Sequence, residues 1–259
     1  MDFEKEQEIL AKLREDKFYF GDFGRQFISN SDIHNLIKSP DKYGLPWDIN
    51  ADYLKGSYLH YRLLQPEIVD PMIVVDASTR GTNVYKDMVK EHTVEGEPKP
   101  MFLLQKEVDE LDVIVKKVEG NNYFMEMLRG DRDPSGRDVE EPAIGVIQGK
   151  LFKGKADRLN YNKGKTIDLK STRSLDGFAE FFKKYGYHGQ AYIYRELFGL
   201  DVSFFVIEKD TGRLGVFEVS DETYEEGRKH VEKGLQIYDM YFGENKTETF
   251  EQYFAFDIV

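Results

Sequence analysis

The chain has 259 residues, 40% hydrophobic and 14% aromatic, with 48 acidic against 36 basic side chains and a formal net charge of −12. That apolar content suits one large domain, or one domain with an accessory lobe, and argues against wholesale disorder. Cysteine is absent, which excludes disulfides, Cys-ligated zinc and an iron–sulfur cluster, and the acidic balance argues against a protein that coats nucleic acid by bulk attraction.

The first residues, Met1-Asp2-Phe3-Glu4-Lys5-Glu6, lack the apolar stretch of a signal peptide. No apolar run approaches the roughly 20 residues needed to cross a bilayer, so a cytoplasmic protein without membrane contact is expected. Residues 4–17 read as a charged helix. Ser29 to Tyr43 reads as a short helix halted at Ser39-Pro40, because the residue before proline avoids the helical region. Lys55 to Leu64 is a second short helix, ended by Gln65-Pro66-Glu67. Residues 70–100 read as strand and loop around a Thr79-Arg80-Gly81-Thr82 turn, with one helix near 83–92. Residues 106–129 are helical in pattern, broken at Gly120, and Gly130 to Pro142 reads as a polar loop.

The texture then changes. Ala143–Phe152, Gly154–Tyr161 and Lys165–Ser171 read as three strands, the last two joined at Asn162-Lys163-Gly164. Leu175–Tyr185 and His188–Phe198 are helical, with Gly199 as a C-terminal cap. Val202–Glu208 and Leu214–Val219 are strands, and Asp221–Phe242 is a long helix. The order from 106 onward is helix, three strands, helix, two strands, helix, which predicts an α/β fold with a central mixed sheet.

Between Lys150 and Arg173 eight basic residues face two aspartates, a local balance of +6 inside an acidic chain. Lysine-guarded edge strands would look the same. The two aspartates carry more information. Alternation along a strand puts Asp168 and Lys170 on one face. A two-residue loop at Asn162-Lys163 makes paired positions sum to 325, which sets Asp157 opposite Asp168; a three-residue loop shifts this by one, and either way the two carboxylates are near neighbours across a hairpin. Two carboxylates in that position destabilise a sheet unless something offsets them. A divalent cation does so, since hard oxygen ligands suit Mg²⁺, and such a cation polarises a phosphoryl oxygen and activates water. Lys170 beside it can orient the water or stabilise charge building on a phosphate. A plain surface ion pair is the competing reading of Asp-x-Lys.

At this point the residues resemble a known group. Gly154-Lys155-Ala156-Asp157, then ten residues, then Asp168-Leu169-Lys170-Ser171-Thr172 is similar to the core of the PD-(D/E)XK nucleases, and more narrowly to RecE-type (exonuclease VIII-like) phage recombination exonucleases and the RecB nuclease domain. Three further stretches resemble that group: Gly56 to Glu67, with His60 in a Gly-x-x-x-His helix before a Pro-Glu turn; Gln190-Ala191-Tyr192-Ile193-Tyr194, a Gln-x-x-x-Tyr helix; and Ser29 to Ile33 with Ser39 to Tyr43. The resemblance implies one nuclease domain over 1–259, with an αβββαβ core at 106–259 and a mainly helical accessory region at 1–105 contributing His60. It implies Asp157, Asp168 and Lys170 as catalytic residues and a metal held by His60, Asp157, Asp168 and the Leu169 carbonyl. Glu141 would support the site. Gln190, Tyr194, Lys155, Arg158 and Arg173 would contact DNA, Gln190 and Tyr194 alternatively supporting the site. The implied cofactor is Mg²⁺, replaceable by Mn²⁺. The implied partners are double-stranded DNA ends and a single-strand annealing recombinase, with a ring-like homo-oligomer usual in such proteins. His34, His92, His188 and His230 show no ligand spacing, and Trp47 and Phe18-Tyr19-Phe20 read as packing residues.

Overall fold

The computed structural model of the protein describes residues 2–45, 49–66, 72–95 and 99–249; Trp47 and Glu67 lie outside them. In chain order the elements are α1 (Phe3–Leu13), α2 (Asp16–Tyr19), α3 (Asn30–Lys38), α4 (Ala51–Leu64), β1 (Val74–Val75), α5 (Asn83–Glu91), β2 (Leu103–Leu104), α6 (Gln105–Glu119), α7 (Asn122–Arg129), β3 (Val139–Ile147), β4 (Lys150–Asn160), β5 (Lys165–Thr172), α8 (Phe178–Lys184), α9 (Tyr187–Phe198), β6 (Asp201–Glu208), β7 (Leu214–Glu218) and α10 (Asp221–Tyr241). Several helices start at side-chain caps. Ser29 and Asp32 form a reciprocal capping box on α3, Asn50 caps α4, and Ser220 caps α10, each satisfying amide groups the helix itself leaves free.

The main sheet has five strands in the order β3-β4-β5-β6-β7. Only β5 and β6 run parallel; the other neighbours are antiparallel. The parallel connection needs a crossover, which α8 and α9 supply. Helices flank both faces. On one, Leu59, Leu63, Val115 and Phe124 of α4, α6 and α7 pack on Ile167, Leu169, Phe205 and Ile207. On the other, Ile33, Phe178, Ile193 and Val231 of α3, α8, α9 and α10 cover Phe152, Val202, Phe204 and Val206. Burial of each such side chain stabilises the fold by roughly 1.5–3 kcal/mol. Coverage on both faces explains why β6 is a nearly continuous apolar run rather than an alternating one.

Two boundaries differ from the sequence expectation. The first hairpin turns at Gln148-Gly149, both in the left-handed region (φ 48° and 82°), so β3 ends at Ile147 and β4 begins at Lys150. The expected break at Lys153 lies inside β4, because Val146-Ile147 and Leu151-Phe152 flank the turn with apolar residues and hide it. The strand also begins at Val139, so the loop expected to run to Pro142 ends at Asp138.

The N-terminal segment belongs to the sheet's surroundings rather than to a detached lobe. Ile28 forms a parallel bridge with Phe152, its amide donating to the Leu151 carbonyl at 2.9 Å and its carbonyl accepting from the Lys153 amide at 2.9 Å. Leu13, Tyr19 and Phe27 form a small core against Ile144.

Candidate active site

The site forms where β4 and β5 part. Their ladder pairs Asn160 with Lys165, Leu159 with Thr166 and Arg158 with Ile167, the 325 register expected from the sequence, although Tyr161 to Gly164 makes the loop four residues long. The ladder stops there. One rung further along β5, the Leu169 amide donates to Asp157 Oδ2 at 2.6 Å, and its carbonyl accepts from His60 Nε2 at 2.6 Å. A carboxylate and an imidazole thus replace strand pairing. With Nε2–H given to the carbonyl, His60 Nδ1 faces Asp157 Oδ2 at 3.6 Å. Both atoms offer lone pairs, an arrangement that suits a shared metal ion.

A second acid joins them. Ligand atoms of His60, Glu140 and Asp157 all lie within 4.8 Å of one another, the one such group of at least three among the described residues. The β3–β4 ladder pairs Val139 with Arg158 and Glu141 with Ala156, so Glu140 sits at the register position opposite Asp157. By the two registers, Glu140, Asp157 and Asp168 stand abreast on three neighbouring strands. Glu140 has φ of 47°, a conformation that costs a side-chain-bearing residue on the order of 1–2 kcal/mol and is found where function demands it. Burial first, then the charge of Asp157, pushes its carboxyl up to about 8 from a usual 4.5.

This corrects the expectation for Glu141. Its side chain turns to the N-terminal segment and pairs with both guanidinium nitrogens of Arg14. Glu140 is the residue sequence reasoning missed. The signal was present: once the turn is set at Gln148-Gly149, the hairpin register points to position 140.

Asp168 is fully buried and engaged on both sides. Lys170 Nζ lies 2.5 Å from Oδ1, and Gln190 Nε2 donates to Oδ2 at 2.7 Å. Burial pushes its carboxyl up to about 6, Lys170 opposes that, and Asp157 adds to it. For Lys170, burial acts to lower the pKa, but Asp168 outweighs it and the net shift is upward. Lys170 is therefore a fixed cation near neutral pH, with its Nζ also 5.0 Å from the Tyr187 ring centre. Such a group can orient a water or neutralise charge; it cannot serve as a general base.

The other expected site residues are placed as follows. Gln190 is buried and holds Asp168, which corrects its reading as a DNA contact and favours the supporting alternative. Tyr194 is buried and donates to the Lys155 carbonyl at 2.7 Å; a Cβ added at Gly154 would approach its ring within 3.0 Å, so that glycine lets α9 lie against β4. Lys155 is buried between Asp16 Oδ1, at 2.7 Å, and the Tyr19 ring. Arg158 is wholly buried, paired with Asp138 and donating to the Gly130 and Leu159 carbonyls at 2.6 Å. None of these four is available to a polyanion; only Arg173 is exposed, and it pairs with Asp52 at 2.6 Å. The rest of the basic stretch is engaged too: Lys150 with Asp239, Lys163 with Glu126, Lys165 with Glu218, and buried Lys153 with the Tyr19 carbonyl. Each of these cations has a partner within the chain, buried for Lys153, Lys155 and Arg158 and at the surface for Lys150, Lys163, Lys165 and Arg173.

The donor set, one imidazole with two carboxylates and a third nearby, fits a hard divalent cation better than a soft one. Asp168 stands just outside the close triplet, and the Leu169 carbonyl is taken by His60.

The model of a PDDEXK-like domain of unknown function (DUF3799) matches residues 47–248. No curated protein matches the chain. A provisionally assigned exonuclease from Eubacterium rectale has a similar crystal structure, with a TM-score of 0.60 and 16% identity over 95% of each chain. A phage-related exonuclease from Haemophilus somnus 129PT gives a TM-score of 0.32 and 14% identity over 64% of this chain and 88% of that one, too distant to support an argument. The family match spans most of the chain, including His60, Glu140, Asp157, Asp168 and Lys170, and the protein belongs to this PD-(D/E)XK nuclease-like family.

Proposed function

We propose that the protein is a metal-dependent DNA exonuclease that hydrolyses phosphodiester bonds at duplex ends. The observation that carries this reading is the convergence of His60, Glu140 and Asp157 within 4.8 Å, beside a cation, Lys170, fixed on Asp168. His60, Glu140 and Asp157 would hold the ion, with Asp168 completing the acidic wall. Mg²⁺ suits the oxygen-rich set, and Mn²⁺, which tolerates imidazole, would substitute. When bound, the ion supplies Lewis acidity toward a phosphoryl oxygen and lowers the pKa of water. The protein's own part is positional. The Leu169 amide orients Asp157, the Leu169 carbonyl orients His60, and Gln190 orients Asp168. Lys170 contributes a preorganised positive charge where negative charge builds in the transition state.

Phage-type recombination or DNA degradation, an annealing recombinase as partner, and a homo-oligomer encircling DNA belong to the same proposal. They rest on the sequence resemblance. A structure-selective endonuclease on the same core is the second reading, and a silent DNA- or protein-binding relative the third. Incubation with end-labelled linear duplex and covalently closed circles, with Mg²⁺ or with EDTA, separates all three. Loss of linear DNA in Mg²⁺ only, with circles intact, is expected. Equal attack on closed circles sinks the exonuclease version, and cleavage undiminished by EDTA sinks the metal site.

A further inference from the structure

The cations of 150–173 already have partners within the chain, so cations without such partners are the stronger candidates for attracting a polyanion. A concavity of about 580 Å³ opens beside α5, with Arg80, Tyr85, Lys86, Lys90, Thr93 and Lys99 in its wall. Lys86 and Lys90 are four apart and share a helix face, an arrangement that repels by a few tenths of a kcal/mol unless an anion joins them. Among the described residues, no carboxylate lies within ion-pair distance of Lys86, Lys90 or Lys99, whereas Arg80 does find one in Glu107.

The wall is rigid. Arg80 makes a two-pronged contact with buried Glu107, at 3.0 and 2.7 Å, and donates to the Phe102 carbonyl at 3.2 Å. Tyr85 is buried, and its hydroxyl accepts from the Phe102 amide at 3.0 Å. The same Glu107 takes Lys55 Nζ at 3.4 Å. Lys55 lies on α4, five residues before His60, about 7–8 Å along the helix axis. The concavity and the candidate metal site therefore hang from one helix.

We infer that this concavity is a phosphate-backbone subsite that holds the flank of a DNA duplex whose end enters the catalytic centre. Three ammonium groups that find no carboxylate among the described residues suit a run of phosphates better than a single compact anion. Among the described residues of the wall the one ring, Tyr85, is buried, so the subsite reads charge rather than sequence. The inference rests on the nuclease reading and adds the surface that positions its substrate.

The test uses the full chain and three forms: wild type, Lys86→Ala/Lys90→Ala/Lys99→Ala, and a control with Lys42→Ala/Lys184→Ala/Lys246→Ala that removes the same charge outside the concavity. Duplex binding is followed by anisotropy in Ca²⁺ between 50 and 200 mM salt, and metal-dependent hydrolysis of bis(p-nitrophenyl) phosphate is measured beside it. Each phosphate contact contributes a slope of about 0.9 in log K against log salt. The concavity variant should lose about 2–3 from that slope and weaken at least about tenfold. The control should change far less, and hydrolysis of the small diester should stay the same in all three. A concavity variant that matches wild type, or a control that weakens as much, overturns the subsite while leaving the nuclease reading intact. A wild type that neither binds duplex nor hydrolyses the small diester overturns both.

Discussion

Glu140→Gln tests the acid cage directly. In the metal-free protein Glu140 stands beside Asp157 with its carboxyl raised from 4.5 to about 8. The folded value lies above the unfolded one, so the unfolded chain releases this proton first. Stability is then full below about pH 4.5 and is lost as pH rises through 8. At 1.36 kcal/mol per unit, the shift caps the loss at about 5 kcal/mol. Some solvent contact remains at this side chain, and Asp157 shares the proton, so about 2–3 kcal/mol is the expected share. Glutamine keeps the shape and removes the charge. In EDTA, Glu140→Gln should be close to wild type near pH 5 and more stable by about 2–3 kcal/mol near pH 8.5, measured by urea unfolding at both pH values. The same variant should lose most of the stabilisation that Mn²⁺ or Mg²⁺ gives the wild type, since that follows the logarithm of ligand concentration over Kd. A stability difference that does not grow with pH, or an unchanged metal-induced shift in Tm, would refute the placement of Glu140 in the cage.

Asp168→Asn keeps an acceptor for Gln190 but removes the counter-charge of Lys170; cleavage of linear duplex should fall by roughly three orders of magnitude or more, with far-UV circular dichroism unchanged. Full activity in that variant would end the assignment of Asp168. Arg158→Ala should destabilise by about 2–4 kcal/mol in urea unfolding, because buried Asp138 loses its closest cation and keeps the more distant Arg132 Nε, at 3.4 Å, whereas Arg173→Ala at the exposed pair with Asp52 should cost under about 1 kcal/mol. Acid stability reports on His34, His188 and His230, whose rings gather between α3, α9 and α10 with His188 and His230 centroids 4.4 Å apart. Burial lowers all three, His230 to about 4; Lys38, Lys183 and Lys233 add to this and Glu226 opposes it at His188. Folded values below the unfolded 6.5 mean stability is lost as pH falls from 6.5 toward 4, by on the order of 1–2 kcal/mol for His230 after allowing for its partial exposure. His230→Gln should flatten that acid arm, and an identical arm in the variant would count against the buried neutral ring.

The legible part of this molecule was local. Alternation in Lys165–Ser171 put Asp168 and Lys170 together, and the turn at Asn162-Lys163-Gly164 set a register that the ladder from Asn160 to Arg158 keeps. His60 and Gln190 came from short motifs whose helices form on their own periodicity and caps. What stayed hidden depended on one weak turn and on distant partners. Glutamine rarely takes the left-handed region, so Gln148-Gly149 gave little turn signal, and without that register nothing pointed to Glu140. The basic residues misled for a different reason. A lysine on a strand reads as exposed until its partner is known, and the partners of Lys155, Arg158 and Arg173 are Asp16, Asp138 and Asp52, far away in the chain and without periodicity to announce them. The same holds for His34, His188 and His230, which share no spacing and meet only because three helices pack. Position on a strand is fixed by neighbours a few residues away, but the charge a side chain shows to the outside is fixed by the whole fold. Motif positions such as Asp168 could therefore be found before the structure, while the surface that would attract DNA had to be found by asking which cations the fold leaves unpaired.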